Sequence, residues 1–214
     1  MHICHARLWY IKTRPLYSAN MKVAIIKYNA GNIRSVYFAL KRLGIEASIT
    51  DDHEALYKAD RVIFPGVGEA STTMQYLREH GLDSLLRELT QPVLGICLGL
   101  QLMCTRSEEG NTDCIGIFDL EVKKFEMGNL KVPHMGWNSL EHVSGRLFSP
   151  EHEGAYVYFV HSYYAAMGAT TCAVTDYINP FSAAIERDNY FATQFHPEKS
   201  QRDGLRMLAN FAQL

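Results

Sequence analysis

The chain is predicted to have an α/β fold with an open, largely parallel central sheet, helices on both faces and added antiparallel strands. Three observations support this prediction. From Met21 onward, short apolar runs alternate with amphipathic stretches of helical spacing, which is the pattern of strand–helix units. The runs are mostly apolar, and the run at 92–96 is wholly so, as expected of parallel strands that are covered on both faces. After about residue 119 the segments become shorter and turn-separated, which favours antiparallel hairpins.

The first half of the chain supplies the parallel part of the sheet. Asn32 follows the first strand and is placed to cap a helix that ends at Gly44, and a further helix is predicted over residues 71–89. The last strand leads directly into residues 97–103, which have the spacing of the first turns of a helix. Strands are predicted at the apolar runs 22–26, 45–49, 61–64 and 92–96.

The second half of the chain is predicted to add antiparallel strands and a closing helix at residues 203–214. The chain has no internal repeat, low-complexity tract or linker after residue 20, so residues 21–214 are predicted to form one domain. The strand segments of this half lie near 119–126, 139–143, 156–160, 171–175, 183–187 and 190–195.

Residues 1–20 differ from the rest because they carry three basic residues and no acid. We interpret them as an N-terminal extension of unknown role, such as an upstream translation start or an expression remnant. A targeting sequence is the less favoured alternative, since the uninterrupted apolar core of a secretory signal is missing. His2, Cys4 and His5 resemble metal ligands, but no second cluster completes a four-coordinate site, so no metal is expected.

Composition excludes several classes of function. The 214 residues carry a formal net charge of −2, which gives no electrostatic reason to expect nucleic acid or an anionic membrane as a partner. No apolar run approaches the roughly 20 residues that span a bilayer. The five cysteines are odd in number and irregularly spaced, which indicates free thiols in a reducing compartment and therefore a cytoplasmic setting. No cofactor motif is present.

Gly95-Ile96-Cys97-Leu98-Gly99 is the motif that carries most chemistry. A nucleophile at a sharp strand-to-helix turn needs small flanking residues, because neighbouring side chains would otherwise clash. Such a turn exposes the sulfur at the carboxyl end of the sheet and frees the Leu98 N–H to stabilise an oxyanion. Hydrolases and redox-sensing proteins share this elbow, so the motif alone leaves both open. The other four cysteines are interpreted as structural.

Two further motifs fit an amide-cleaving cysteine. His196 is a suitable base for the thiol proton, and Glu198, two residues on, can orient the imidazole ring across the rigid Pro197. Pro65-Gly66-Val67-Gly68 follows a strand, and its glycines let backbone amides approach a ligand as a second oxyanion donor. An ordinary tight turn remains open there, whereas a phosphate loop lacks its Lys-Ser/Thr.

These blocks, in this order, resemble the class I (triad-type) glutamine amidotransferases, which have a flavodoxin-like fold. Three longer stretches make the chain similar to the glutaminase subunits of imidazole glycerol phosphate synthase, from histidine biosynthesis: residues 131–138 (KVPHMGWN), 158–163 (YFVHSY) and 192–200 (ATQFHPEKS). The similarity extends over roughly residues 21–214. The sequence departs from the family at residues 27–32 (KYNAGN), where Asp-Tyr-Gly-x-Gly-Asn is usual, so the contacts of that loop stay open.

The resemblance implies roles for individual residues. Cys97 would attack the side-chain amide of L-glutamine to form a thioester, His196 would protonate departing ammonia, and water would release glutamate. The Leu98 N–H and a rotated Gly66–Val67 peptide would form the oxyanion hole. The positions that match glutamine-binding residues are Gly68, Gln101, Glu109, Ser162 and Tyr163.

The resemblance also implies a partner, a (β/α)₈ cyclase subunit that forms a heterodimer with this chain. Ammonia would pass through the cyclase and convert PRFAR to imidazole glycerol phosphate and AICAR, and glutamine hydrolysis would stay weak until the partner and its ligand bind. Trp137 and Lys199 match positions at that interface.

Three other functions remain open at this stage. One is a glutaminase of another pathway, such as pyridoxal phosphate, anthranilate or purine synthesis, against which the Gly-Trp-Asn block argues. The second is a cysteine peptidase or redox-sensing protein with the same elbow. The third is a catalytically silent binding subunit, which the complete triad disfavours.

Overall fold

The computed structural model describes residues 21–28, 32–126, 128 and 130–214. The N-terminal extension, with its metal-like residues, lies outside this range, as does the centre of the departing loop at residues 29–31. Within the described ranges, no helix is long and apolar enough to cross a membrane.

Thirteen strands and six α-helices make up the described chain. The strands are β1 Val23–Ile26, β2 Ala47–Thr50, β3 Arg61–Gly66, β4 Val93–Cys97, β5 Arg106–Ser107, β6 Thr112–Asp113, β7 Glu121–Lys124, β8 His134–Ser139, β9 Tyr156–His161, β10 Tyr163–Ala165, β11 Thr171–Asp176, β12 Pro180–Arg187 and β13 Tyr190–Thr193. The helices are α1 Ile33–Arg42, α2 His53–Tyr57, α3 Ala70–Glu79, α4 Leu82–Glu88, α5 Leu98–Met103 and α6 Gln201–Gln213, with 3₁₀ turns at Glu109–Asn111, Pro150–His152 and Pro197–Lys199.

The central sheet has seven strands in the order β11-β12-β13-β4-β3-β1-β2. The five strands from β13 to β2 are parallel, and β12 is antiparallel to both of its neighbours. Taking β13 as the fifth strand, the parallel part has the 2-1-3-4-5 order of flavodoxin-like sheets. The predicted fold class is confirmed. Ligands in such sheets bind at the carboxyl ends of the strands, the edge at which the loops after β1, β3, β4 and β13 meet.

Helices cover both faces of this sheet because its central strands are buried on both sides. Val23 and Ile25 of β1 belong to the core under α1 and α6, whereas Ala24 and Ile26 belong to the core under α3, α4 and α5. The alternation follows from the two-residue period of a strand. Each core is built from buried Leu, Ile, Val, Met and Phe, which anchors the strand ends that carry the site.

The predicted helix over residues 71–89 is wrong in one respect, because the structure has two helices there. Gly81 has φ 66°, a left-handed conformation that interrupts the helical path between α3 and α4. The hydrophobic periodicity does not reveal this break, because the apolar residues of α3 and those of α4 pack into the same core. The short α2 was also missed, although Asp52 caps it by accepting from the Ala55 N–H at 2.8 Å.

The antiparallel half also differs from the prediction in part. The predicted strand at 139–143 lies instead at β8, since beyond Ser139 only an isolated bridge from Glu141 to Val174 forms. β8 and β9 form a separate two-stranded sheet, and β10-β7-β5-β6 form a second small sheet. Only β11, β12 and β13 join the central sheet. Hydrophobic patterns indicate strands but do not state which sheet they join, because pairing is a long-range choice.

Candidate active site

Cys97 lies at the turn where β4 ends and α5 begins, with φ 54° and ψ −108°. A positive φ is uncommon for a residue with a Cβ and carries local strain, which the buried strand and helix on either side must hold in place. The β3–β4 register sets Gly66 directly beside Cys97. The sulfur is therefore presented at the carboxyl edge of the sheet, next to Pro65 and Gly66 at the end of β3 and to Val67 and Gly68 just beyond it.

The glycines around Cys97 are required by close packing. A Cβ on Gly99 would lie 2.1 Å from the Phe64 carbonyl oxygen, and one on Gly95 would lie 2.6 Å from the Met103 sulfur. The elbow motif predicts both glycines from clashes between side chains at the turn. At Gly99 the obstacle is instead the backbone of the neighbouring strand, so glycine lets α5 pack directly on β3.

His196 and Glu198 form a buried pair just beyond the end of β13. His196 Nδ1 lies 2.8 Å from Glu198 Oε1, and both residues are buried. The His196 backbone is fixed as well, since its N–H donates to the Tyr158 carbonyl at 2.9 Å and its carbonyl accepts from Ser200 Oγ at 2.7 Å. Burial opposes a charge on His196, but the Cys97 sulfur and the Glu198 carboxylate outweigh burial and raise the pKa of His196 above its ordinary value.

Asn32 is a contact that the sequence analysis missed. It occupies the N-cap position of α1, but its side chain makes no capping hydrogen bond. Its Nδ2 instead donates to Glu198 Oε1 and lies 3.3 Å from His196 Nδ1. Asn32, which follows β1, thus supports the His196–Glu198 pair, which follows β13. Only the position of both at the carboxyl edge of the sheet could have indicated this contact.

A cavity of about 220 Å³ opens beside Cys97. The five residues predicted to bind glutamine line it together, and so do Val67 and Leu98 of the predicted oxyanion hole; Gly66 stands next to it in the sheet. The lining also includes three residues that were not predicted as site residues. The full set is Val67, Gly68, Cys97, Leu98, Gln101, Glu109, Pro133, Val160, His161, Ser162 and Tyr163.

Two of the predicted glutamine-binding residues already have protein partners. Gln101 donates from Nε2 to the Tyr163 carbonyl at 2.8 Å. Glu109 accepts from the Ala70 N–H at 2.8 Å, and burial is the main cause that raises the pKa of its carboxyl group. Each side chain keeps an oxygen that can bind a ligand. The amide oxygen of Gln101 and the second carboxylate oxygen of Glu109 take no part in these contacts.

His161 and His134 form a second buried histidine pair, with 3.2 Å between His134 Nδ1 and His161 Nε2. Burial lowers the pKa of His134 to about 4 and that of His161 to about 3. Both rings are therefore neutral at pH 7 and lack the carboxylate partner that His196 has. This difference favours His196 as the base.

The predicted interface residues meet on one aromatic ring. Trp137 packs edge-on against Tyr158 at 5.9 Å between ring centroids, and Lys199 Nζ lies 5.9 Å from the same centroid. This face of β8 and β9 is apolar and exposed: 44% of Trp137, 63% of Met135 and 62% of Tyr156 is accessible to solvent. We refer to Met135, Trp137, Tyr156 and Tyr158 as the apolar face.

The fold and the cysteine elbow define a class of protein, and comparison with known proteins agrees. The family model described as "Glutamine amidotransferase class-I" matches residues 14–214, and the chain belongs to this family. Within it, the chain is a member of the group of imidazole glycerol phosphate synthase subunits HisH. It is 61% identical over 196 residues to HisH of Bacteroides fragilis strain YCH46, which covers 91% of this chain and 100% of the relative.

More distant comparisons agree. HisH of Escherichia coli strain K12 is 43% identical over 196 residues, with 91% of this chain and 100% of the relative covered. Among solved structures, a glutamine amidotransferase has a TM-score of 0.69 at 22% identity, covering 89% of this chain and 99% of that one. PurLQS from Thermotoga maritima has a TM-score of 0.66 at 16% identity, covering 89% and 97%. These two likenesses show the fold. The chain is a glutamine amidotransferase, and the HisH relatives do not favour the peptidase or other-pathway alternatives.

Proposed function

We propose that this chain hydrolyses L-glutamine to glutamate and ammonia through a Cys97–His196–Glu198 triad, and supplies the ammonia to the cyclase subunit of imidazole glycerol phosphate synthase. One observation carries the proposal. The sulfur on the strained turn borders a cavity whose wall holds all five residues that match glutamine-binding positions. A nucleophile, a buried base and a substrate-sized recess therefore occur at one edge of the sheet.

The chemistry follows from the arrangement. His196 takes the thiol proton of Cys97 as Sγ attacks the side-chain carbonyl carbon of glutamine, and the C–N bond breaks as His196 delivers that proton to the leaving ammonia. Water then cleaves the glutamyl thioester, with His196 accepting its proton. Glu198 contacts Nδ1 of His196 and so leaves Nε2 to exchange these protons. That Nε2 atom is buried and makes no hydrogen bond to any residue the structure describes.

The oxyanion formed in this attack needs two N–H donors. The Leu98 N–H is one candidate, because it is the first amide of α5 and lies beside the nucleophile. The Gly66–Val67 peptide is the other, and the adjoining glycines permit it to rotate. At the other end of glutamine, the Gln101 and Glu109 oxygens are suited to the α-ammonium group, and Gly68, Ser162 and Tyr163 complete the wall.

Asn32 orients the carboxylate of the triad in this scheme. We expect Asn32→Ala to lower the turnover of glutamine on the order of tenfold, the value of one hydrogen bond to a charged group. Steady-state glutaminase assays of the complex measure it. Asn210→Ala is the matched control, since it removes a side-chain hydrogen bond, from Asn210 to the Leu147 carbonyl, at a distance from the site. Equal turnover in both variants would contradict the role of Asn32.

The partner is proposed to dock on the apolar face. Val160 of β9 lines the cavity while Tyr158 of the same strand lies on this face, so a bound cyclase would reach the glutamine site directly. Exposed aromatic residues beside a cation are typical anchors of protein interfaces. In this proposal the partner has a (β/α)₈ fold and binds the chain one to one.

Trp137→Ala is expected to weaken binding of the cyclase subunit by roughly 30-fold, the effect of losing an interface anchor of about 2 kcal/mol. Titration calorimetry measures the dissociation constant. Tyr57→Ala is the matched control because Tyr57 has a similar exposure, 46%, and lies at the end of α2. Equal weakening by both substitutions would argue against docking on the apolar face.

The experiment that tests the whole proposal measures glutamate release from glutamine with and without the cyclase subunit and its nucleotide ligand. Strong release only in the full mixture is expected. Robust release by the chain alone would keep the triad but contradict gating by the partner. No release under any condition would overturn the proposed activity.

A further inference from the structure

The carbonyl oxygen of Tyr163 accepts two hydrogen bonds from side chains at the site. His161 Nδ1 and Gln101 Nε2 each lie 2.8 Å from it. A carbonyl oxygen can only accept, so both nitrogens must carry the hydrogen. This one atom therefore determines the tautomer of His161 and the orientation of the Gln101 amide.

The orientation of Gln101 determines that of Gln194. The Gln101 amide nitrogen lies 3.1 Å from Oε1 of Gln194, and because it donates, Gln194 must present its oxygen there. The Gln194 Nε2 amino group then points the other way, to within 3.7 Å of Cys97 Sγ. An unbroken hydrogen-bonded path thus runs from the Tyr163 carbonyl to the sulfur.

Gln194 is held rigidly in this place. It follows directly after β13, whose last residue Thr193 is paired with Ile96, the residue before Cys97. Its backbone N–H donates to the Ala183 carbonyl at 2.8 Å, and the residue is fully buried. An apolar side chain would satisfy packing alone, whereas a buried amide is costly unless its donors and acceptors are used.

We propose that Gln194 is a positioning residue that donates an N–H to the Cys97 sulfur and favours its thiolate form. The Tyr163 carbonyl, acting through Gln101, sets which end of the Gln194 amide faces the sulfur. The inference rests on the proposed function in taking Cys97 as the nucleophile. A hydrogen bond to the charged form of a group stabilises that form, and the thiolate is the reactive species. Gln101 and Tyr163 also line the cavity, so glutamine would contact the same groups that orient Gln194.

The test follows alkylation of Cys97 by iodoacetamide as a function of pH in the full-length chain. Peptide mass spectrometry separates Cys97 from the other thiols. In Gln194→Leu the pH of half-maximal alkylation rate is expected to rise by about one unit, a tenfold loss of thiolate at fixed pH. In Gln194→Glu it is expected to rise further, because a carboxylate then faces the sulfur. Gln75→Leu, which removes an exposed amide on α3, is expected to leave the midpoint unchanged.

The result that overturns the inference is an unchanged midpoint in both Gln194 variants. If Gln194→Leu does not fold, Gln194→Glu and Gln101→Leu test the inference in its place. Gln101→Leu is informative because it frees the Gln194 amide to turn away from the sulfur. The readout requires no glutamine hydrolysis. A shifted midpoint in a chain that releases no glutamate would therefore support the positioning role and contradict only the proposed function.

Discussion

Cys97→Ala is expected to abolish glutamine-dependent synthesis by the complex, with a loss of at least about 10⁴-fold, while ammonia-dependent synthesis by the cyclase stays at the level of the unmodified complex. The substitution removes the atom that forms the thioester, and no other thiol among the described residues borders the cavity. Added ammonium salt bypasses the missing step because the cyclase receives the same nitrogen source. Both rates are measured on one preparation of the complex.

Cys114→Ala is the matched control for this result. Cys114 is another free thiol, but burial raises its pKa to about 12 and it lies away from the cavity. Glutamine-dependent synthesis should survive its loss. If Cys97→Ala removed the ammonia-dependent reaction as well, the division of labour between the two subunits would be wrong.

Gly99→Ala is expected to destabilise the fold by about 3 kcal/mol or more, the upper part of the range for overpacking a core. The added Cβ would meet the Phe64 carbonyl at 2.1 Å, and neither β3 nor α5 can move without opening the buried core between them. Denaturant unfolding followed by circular dichroism measures the change in free energy of unfolding.

Gly128→Ala provides the comparison, since a Cβ there meets nothing within 4 Å. Its free energy of unfolding should change by less than about 0.5 kcal/mol. A similarly small change for Gly99→Ala would show that β3 and α5 separate easily, and would remove the packing reason for glycine at the elbow.

The site is assembled by the order of the strands. The segments that follow β1, β3 and β13 contribute Asn32, Val67 and His196, Cys97 is the last residue of β4, and the parallel order brings these four strand ends to one edge. Residues up to 166 positions apart in sequence thereby come within hydrogen-bond distance, as Asn32 and Glu198 do. The strained turn at Cys97 is tolerable because both of its flanks are buried.

Motifs made the central residues of the site predictable. Cys97, His196 and Glu198 were identified from local spacing, since a nucleophilic elbow needs nearby glycines and a histidine two residues before a carboxylate can be oriented by it. The strands β1, β3 and β4 were equally clear because each is a short and almost wholly apolar run. The catalytic roles of Cys97, His196 and Glu198 remain proposals, which the substitutions above would test.

Asn32 and Gln194 were not predicted as site residues because their contacts are tertiary. In sequence Asn32 is an ordinary helix cap, and Gln194 is one polar residue in an apolar strand. Only the packed structure turns the first toward Glu198 and the second toward Cys97 Sγ. The break at Gly81 and the pairing of β8 with β9 were missed for a related reason, since periodicity records which side of a segment is apolar but not where the chain turns.

The sequence by itself determined the class of fold, and it predicted the nucleophile, its base and the positions that match glutamine-binding residues, because each depends on local spacing or on a motif. The tertiary structure alone decided how these groups are oriented. Hydrogen-bond polarity at the site is set by the Tyr163 carbonyl through Gln101, and an orientation of this kind exists only when distant strands have packed and excluded water from the groups between them.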